Sequence, residues 1–327
     1  MLRRTLLLAP LATLPGLAAA PAARAQAAWP DRPMRWILPD VPGSGNDITA
    51  RLLQPLMDAA LGQPTVVENR GGAGGRIGVE AAFRAAPDGY TFLLGNAGSN
   101  GINAAIYRDL PYDLATAFEP ISLLVTGPNV LTVNARAVPV NTVAELIAYV
   151  KARPGQLNYG SGGVGSSSHM STELLKFRAG LDIQHIPYRG TPAMAQGAIS
   201  GDSPVLLGNL VNFMPFIQRG ELKALAVTSR TRSRFLPEVP TMIESGLPDF
   251  ETIAWNGLLA PKGTPAPIIA RMHAELVKLR GNAMVNDRVG ALGGELVISS
   301  PEAFAAQIKG DIAKWKDLAE RVNIRAE

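Results

Sequence analysis

Ile121–Val133 reads ISLLVTGPNVLTV and Ala254–Ala260 reads AWNGLLA. Both runs are extended in character, and the first is broken at Gly127-Pro128. Each lies between blocks in which short strands alternate with helical patterns, the mark of an α/β chain. A chain that crosses twice between two such blocks is expected to form two lobes with a cleft between them. Residues 28–124 and 258–327 would make the first lobe, and residues 125–257 the second. Ligands of open α/β sheets bind at the carboxyl ends of the strands, which here would border the cleft.

The blocks read as follows. Met34–Pro39 is a strand, and Asp47–Leu61 is a helix with Ile48, Leu52, Leu56 and Ala60 on one face and Gly62 as its stop. Thr65–Glu68 and Tyr90–Gly95 are strands around a helix at Ile77–Ala85, and Ala104–Tyr107 fits a helical turn. Beyond the first crossing, Thr142–Arg153 is a helix opened by a Thr142-x-x-Glu145 capping box. Strands are expected at Leu157–Tyr159, Ile183–Ile186, Val205–Gly208 and Leu222–Thr228, with a helix at Ser167–Ala179. Thr191-Pro192 reads as cap and first position of a further helix. Two helices close the chain near Ala266–Arg280 and Pro301–Val322, the last with a Ser299-x-x-Glu302 box.

At 327 residues, with 47% hydrophobic and 18% charged residues, the chain has ample material for two packed cores and is not disordered. It has no cysteine, which excludes disulfides, thiolate metal sites and a thiol nucleophile. Residues 1–25 carry Arg3 and Arg4, a short apolar run from Leu6 to Leu17, and Ala23-Arg24-Ala25, the pattern of a cleaved export signal. The run is too short for a membrane span and is interrupted by Pro10 and Pro15. Of the 31 Lys and Arg, three fall within residues 1–25, so 28 remain against 27 Asp and Glu. The mature chain is then near neutral and carries no nucleic-acid footprint. Export without cysteines points to a bacterial periplasm. Oligomeric state is not written in the sequence, and a monomer is the default.

Three Gly/Ser-rich stretches each follow a strand and precede a helix: PDVPGSGND (39–47), NRGGAGGRIG (69–78) and GSGGVGSSSH (160–169). Each alone is a tight turn or an anion site. Glycine lets backbone N–H groups approach a ligand, and a helix start offers unpaired N–H donors and partial positive charge. Three such stretches in one chain favour an anion-binding cleft built without Lys or Arg. Side chains expected to face it are Ser44, Asn46, Asn96, Ser99, Ser161, Ser166, Ser167, Tyr188 and Asn209. Asp47 either caps its helix or meets a ligand amine or bridging water, and Trp255 is either hinge packing or cleft wall.

Catalytic and cofactor chemistry find little support. There is no Gly-x-Ser-x-Gly elbow, no HExxH and no Walker loop, and the three histidines, His169, His185 and His273, lack metal-ligand spacing. Gly160-x-Gly162-x-x-Gly165 with Asp182 matches a dinucleotide pattern, so an exported dinucleotide-dependent oxidoreductase is the enzymatic alternative. Asp182, however, precedes its strand, where it would not meet a ribose. No catalytic residue, metal or cofactor is assigned.

Several segments in this order resemble the Bug receptors, the extracytoplasmic binding proteins of tripartite tricarboxylate transporters. They are WPDRPMRWILP (29–39), Gly43–Arg51, ENRGGAGGRIG (68–78), PDGYTFLLG (87–95), LPYD (110–113), LNYGSGGVGSSSHMSTELL (157–175), HIPYRG (185–190), LKALAVTSRTRSRFLPEVPTMIESG (222–246) and GLLAPKGTP (257–265). The resemblance implies a type II periplasmic-binding-protein fold and a small carboxylate ligand held between Gly43–Asp47 and Ser161–Ser168. It also implies delivery to a two-component membrane permease, with no chemistry on the ligand. A ligand sensor feeding a signalling partner would look the same. The chain departs from the family pattern at Asp40-Val41, at Gly43-Ser44-Gly45 and at AMAQGAISGDSPVLLGN (193–209), all near the presumed cleft.

Overall fold

The computed structural model describes residues 29–321 and 323–325, so the expected export signal at 1–25 lies outside the described residues. The elements begin with β1 (Met34–Leu38), α1 (Gly45–Leu61), β2 (Thr65–Asn69), α2 (Arg76–Phe83), β3 (Thr91–Asn96) and α3 (Asn103–Ile106). A 3-10 turn at Ala73–Gly75 leads into α2, and a π-helical turn at Ala97–Ile102 leads into α3. There follow β4 (Phe118–Val133), α4 (Val143–Lys151), β5 (Asn158–Ser161), α5 (Ser167–Ala179), β6 (Gln184–Pro187), α6 (Thr191–Ser200), β7 (Val205–Asn209), α7 (Leu210–Gln218) and β8 (Lys223–Val227). The chain ends with β9 (Ile253–Pro261), α8 (Ala266–Leu279), α9 (Ala283–Ala291), β10 (Glu295–Leu296) and α10 (Pro301–Arg321).

The strands run in the order β2-β1-β3-β9-β4-β7-β5-β6, with β8 and β10 also paired to β4. The outer groups β2-β1-β3 and β7-β5-β6 are parallel, and the central β9 and β4 pair antiparallel with each other and with their neighbours. This is a type II periplasmic-binding-protein fold, with two lobes joined by β4 and β9. The first crossing begins at Phe118 and is not broken at Gly127-Pro128. Pairing with β9 ends at Pro128↔Ile253, and pairing with β7 and β8 begins at Asn129 and Val130. Pro128, which has no N–H to donate, therefore stands where the strand changes neighbours.

One core gathers Trp36, Leu53, Phe92 and Leu258, and another gathers Leu131, Tyr159, Leu207 and Phe250. A smaller cluster bridges the halves, with Met170 of α5 against Ile102, Ile106, Trp315 and Leu318. The buried face of α1 is Ala50, Leu53, Met57 and Leu61, one position round from the expected face. Leu52 and Leu56 pack at its flank, because the capped Ser44 start turns the helix so that Asn46 and Ala50 meet the sheet.

Two helix starts also differ from expectation. The cap of α10 is Ser300, which accepts from the Ala303 N–H. Ser299 instead joins Leu123 of β4, its hydroxyl accepting from the Leu123 N–H. Gly190, at φ +87°, caps α6, and Thr191 is already helical. Helices α7 and α9 were not expected: α7 (LVNFMPFIQ) is apolar nearly all round and carries Pro215, so it lacks the one-sided pattern of a surface helix.

Candidate functional site

A cavity of about 540 Å³ lies where the parallel strands of both halves end. It is within the usual range for small-molecule sites. Pro39 to Val41 follow β1, Gly71 to Gly75 follow β2, and Asn96 to Gly98 end β3. Gly162, Gly163 and Ser166–Ser168 follow β5, Tyr188–Thr191 follow β6, Asn209 ends β7, and Asn212 lies in α7 just beyond it. Ala254, Trp255 and Asn256 of β9 complete the wall.

Three helix starts aim at this space. At α1, the Ser44 hydroxyl accepts from the Asp47 N–H at 3.2 Å, and Asp47 accepts from the Gly43 N–H and from Arg51 Nε, each at 2.9 Å. Burial alone would raise the Asp47 pKa, but the bonds from Arg51 and Gly43 hold it below the usual carboxylate range. The Gly45 and Asn46 N–H groups, in the first turn, have no intrahelical partner. At Ala97–Ile102, Asn96 and Ser99 form a reciprocal capping box, which leaves the Ala97 and Gly98 N–H groups. At α5, Ser166 accepts from the His169 N–H at 3.3 Å and donates to the Gly163 carbonyl at 2.7 Å, which leaves Ser167 and Ser168. The donors converge as a ring, with the positive ends of the helix dipoles behind them.

Of the residues expected to face the cleft, Asn46, Asn96, Ser166, Ser167, Tyr188, Asn209 and Trp255 line the cavity. Ser44, Asp47, Ser99 and Ser161 do not line it; they hold the helix starts and loops that do. Trp255 sends its indole to the other face of the sheet, where Nε1 donates to Asp311 at 2.5 Å and the ring packs edge-on against Phe304. The Tyr188 hydroxyl reaches Ser203 rather than open space. Asn256, between these strands, donates to the Gly45 carbonyl and to Thr49, tying β9 to the α1 start.

The sequence reading passed over Asp40, Asn212 and the Gly71–Gly75 backbone. The glycines have no side chain to nominate, although their stretch stood out as a loop between strand and helix. Asn212 sits on α7, a helix the pattern does not reveal. Asp40 stood out only as a departure from the family pattern. Its carboxylate accepts from the Val41 N–H at 2.9 Å, and burial raises its pKa to about 6.

Behind the Ser-rich loop, His169 and His185 stack at 4.3 Å between ring centroids. His185 Nε2 lies 2.5 Å from Ser161 Oγ, and His169 Nδ1 accepts from the Gly165 N–H. Burial lowers both pKa values to about 4, so both rings are neutral at pH 7. Ser161 is wholly buried and does not line the cavity, so the Ser161–His185 pair supports the loop rather than offering a nucleophile. The dinucleotide pattern is not assembled either. Gly160 lies inside β5, and Asp182 precedes β6, at the opposite end of that parallel pair from the loop.

Residues 49–324 match the profile described as tripartite tricarboxylate transporter family receptor. Three solved structures are similar along nearly their whole length. A Rhodopseudomonas palustris protein solved with adipate is 33% identical with a TM-score of 0.87, covering 91% of this chain and 99% of its own. MatC from the same organism, with bound malate, is 32% identical with a TM-score of 0.85, covering 89% and 99%. The periplasmic binding protein BugD is 34% identical with a TM-score of 0.86, covering 91% and 100%. Family and fold are those of substrate-binding receptors, which are not enzymes. No helix among the described residues is long and apolar enough to cross a membrane. The chain therefore belongs to the tripartite tricarboxylate transporter receptors, the Bug family of periplasmic solute-binding proteins.

Proposed function

We propose that the protein binds a small carboxylate in the interlobe cleft and delivers it to a two-component membrane permease. The observation that carries this reading is the ring of unpaired N–H donors at Gly45, Asn46, Ala97, Gly98, Ser167 and Ser168 around one cavity. Micromolar affinity needs about 8 kcal/mol. Hydrogen bonds to a charged group contribute roughly 1.5–3 kcal/mol each, so a few of these donors suffice before the costs of binding. Ser167, Asn96 and Asn209 add side-chain donors. Adipate and malate in the similar structures support the ligand class.

The lobes of this reading are residues 28–124 plus 258–327 and residues 125–257, turning about the strands near Val125 and Gly257. The change of β4's partners at Pro128 and Asn129 supports that division. A ligand touching both lobes favours the closed form by its differential affinity for it. The export signal would be removed near Ala25, and the mature protein would act as a periplasmic monomer.

Thermal unfolding against a panel of carboxylates, with amides of the same acids and NAD as controls, tests the reading. A ligand at 100 times its Kd stabilises the fold by about 2.7 kcal/mol, a shift of several degrees. A shift with an acid but not with its amide is expected. A shift with NAD alone would overturn the reading.

A further inference from the structure

Given a carboxylate in this cleft, we infer that the ligand also carries a positively charged amine, and that Asp40 meets it and sets specificity. The inference rests on the proposed function and adds the second half of the ligand. The cavity has two chemical characters. The helix starts supply donors, whereas Asp40, Asn46 and Asn212 bring acceptors to the same wall. Asn46 is 2% exposed, and its Nδ2 donates to the Leu94 carbonyl at 2.7 Å, which fixes the amide so that Oδ1 is the remaining atom. Asn46 Oδ1 and Asn212 Oδ1 are buried and without a partner among the described residues. A Cβ at Gly45 would stand 3.0 Å from Asn212 Oδ1, so that acceptor faces the α1 start. Unpartnered buried acceptors cost free energy, and a donor-rich ligand group would satisfy them.

Charge selects among donors. The Asp40 carboxylate accepts from the Val41 N–H, has the Ser44 hydroxyl and the Asp47 carboxylate nearby, and forms no ion pair among the described residues. A half-buried carboxylate without a paired cation is disfavoured in its ionised form. An ammonium group would supply the missing charge and N–H donors for acceptors on this wall. A dicarboxylate would set its second anion against Asp40. Arg189 lines the same cavity but is exposed.

The pH dependence has a definite sign. The charged groups on the elements around Asp40 are Asp47 on α1, Arg70 beside Gly71, and Arg189 before α6. Arg51 and the Gly43 N–H hold Asp47 ionised, so of the two neighbouring carboxylates it is Asp40 that changes charge between pH 5 and 7. An ammonium-bearing ligand requires the ionised form. With Asp40 titrating at about 6, affinity should rise about tenfold across that interval.

The test is calorimetric titration of the purified protein, stripped of co-purified ligand by unfolding and refolding. The probes are the α-amino acids, ω-amino acids from β-alanine to 6-aminohexanoate, and dicarboxylates from malonate to adipate. Expected is binding of an amino acid in preference to the dicarboxylate of equal length, tightening from pH 5 to 7. Asp40→Asn should weaken it at least tenfold and abolish the pH dependence. Binding of a dicarboxylate in preference to every amino acid, or an amino-acid affinity unmoved in Asp40→Asn, would overturn the inference and leave the carboxylate reading standing. Silence from every acid would overturn both.

Discussion

Two neighbouring serines at the start of α5 should respond differently to the same substitution. Ser166 is the N-cap: its hydroxyl accepts from the His169 N–H, donates to the Gly163 carbonyl and lies 3.0 Å from Ser168 Oγ. Ser167 is the first helical residue and lines the cavity, and its hydroxyl makes no bond within the protein among the described residues. Ser166→Ala removes a cap, a loss of about 1 kcal/mol of stability. For a chain of this size, at about 2.1 cal/mol/K of unfolding entropy per residue, that lowers Tm by about 1.5–2 °C. Ser167→Ala leaves the cap intact, so the ligand-free Tm should hold within a degree. What it removes is one hydroxyl donor to a carboxylate, worth about 1.5–3 kcal/mol, which is roughly 10- to 150-fold in Kd. Scanning calorimetry of the ligand-free variants and titration with the tightest acid of the panel read the two effects separately. A Ser167→Ala variant that binds within twofold of the parent would remove this helix start from the site. A Ser167→Ala variant as destabilised as Ser166→Ala would show the two hydroxyls to be interchangeable supports.

Two more predictions concern the frame. His169 and His185 are held neutral in the fold, so the unfolded chain binds more protons between pH 6.5 and 4 and stability falls as pH drops through that window. The loss is roughly 3 kcal/mol for His169, the more buried of the two, and His169→Gln should flatten the decline seen in pH-dependent unfolding; an equally steep decline would refute the assignment. Gly257 lies in β9 where a Cβ would collide with the Phe304 ring, so Gly257→Ala should cost about 1–3 kcal/mol by thermal unfolding. Adding Phe304→Leu should restore part of that loss, and no restoration would mean the strain lies elsewhere.

The two crossings were legible because an extended run of unusual length interrupts a regular alternation, and β4 and β9 are those runs. The loops of the site were legible because glycine and serine gather where a strand turns into a helix. What a residue does inside such a loop was less legible. Ser44, Ser99 and Ser161 have the same chemistry as Ser166 and Ser167, yet they spend it on backbone and side-chain partners within the loops. Which way a serine turns depends on backbone torsions that neighbouring glycines leave open. Trp255 and Asn256 differ by one position on a strand, and alternation sends one to α10 and the other to α1. The phase of that alternation came from pairing with β3 and β4, far away in sequence.

The bridging cluster bears on how closure is balanced. The halves already touch at the rim of the cavity, where a Cβ at Gly98 would stand 3.4 Å from the Gly165 carbonyl and a Cβ at Gly190 would run into Val41. Met170 is wholly buried between α3 and α10. If such contacts form only on closing, they contribute to the closed state themselves, and the ligand need supply only the remaining difference. Met170→Ala should then open the ligand-free protein, increase its radius of gyration in small-angle scattering and weaken binding. A core Met→Ala change typically costs 2–5 kcal/mol, so even a fraction falling on the closed state would lower affinity tenfold or more. A lower Tm with unchanged radius and unchanged affinity would mean that α5 stays seated on α10 in both states. The moving surface would then be confined to the mouth around Val41 and Gly190, and the strands near Val125 and Gly257 would not be the pivot.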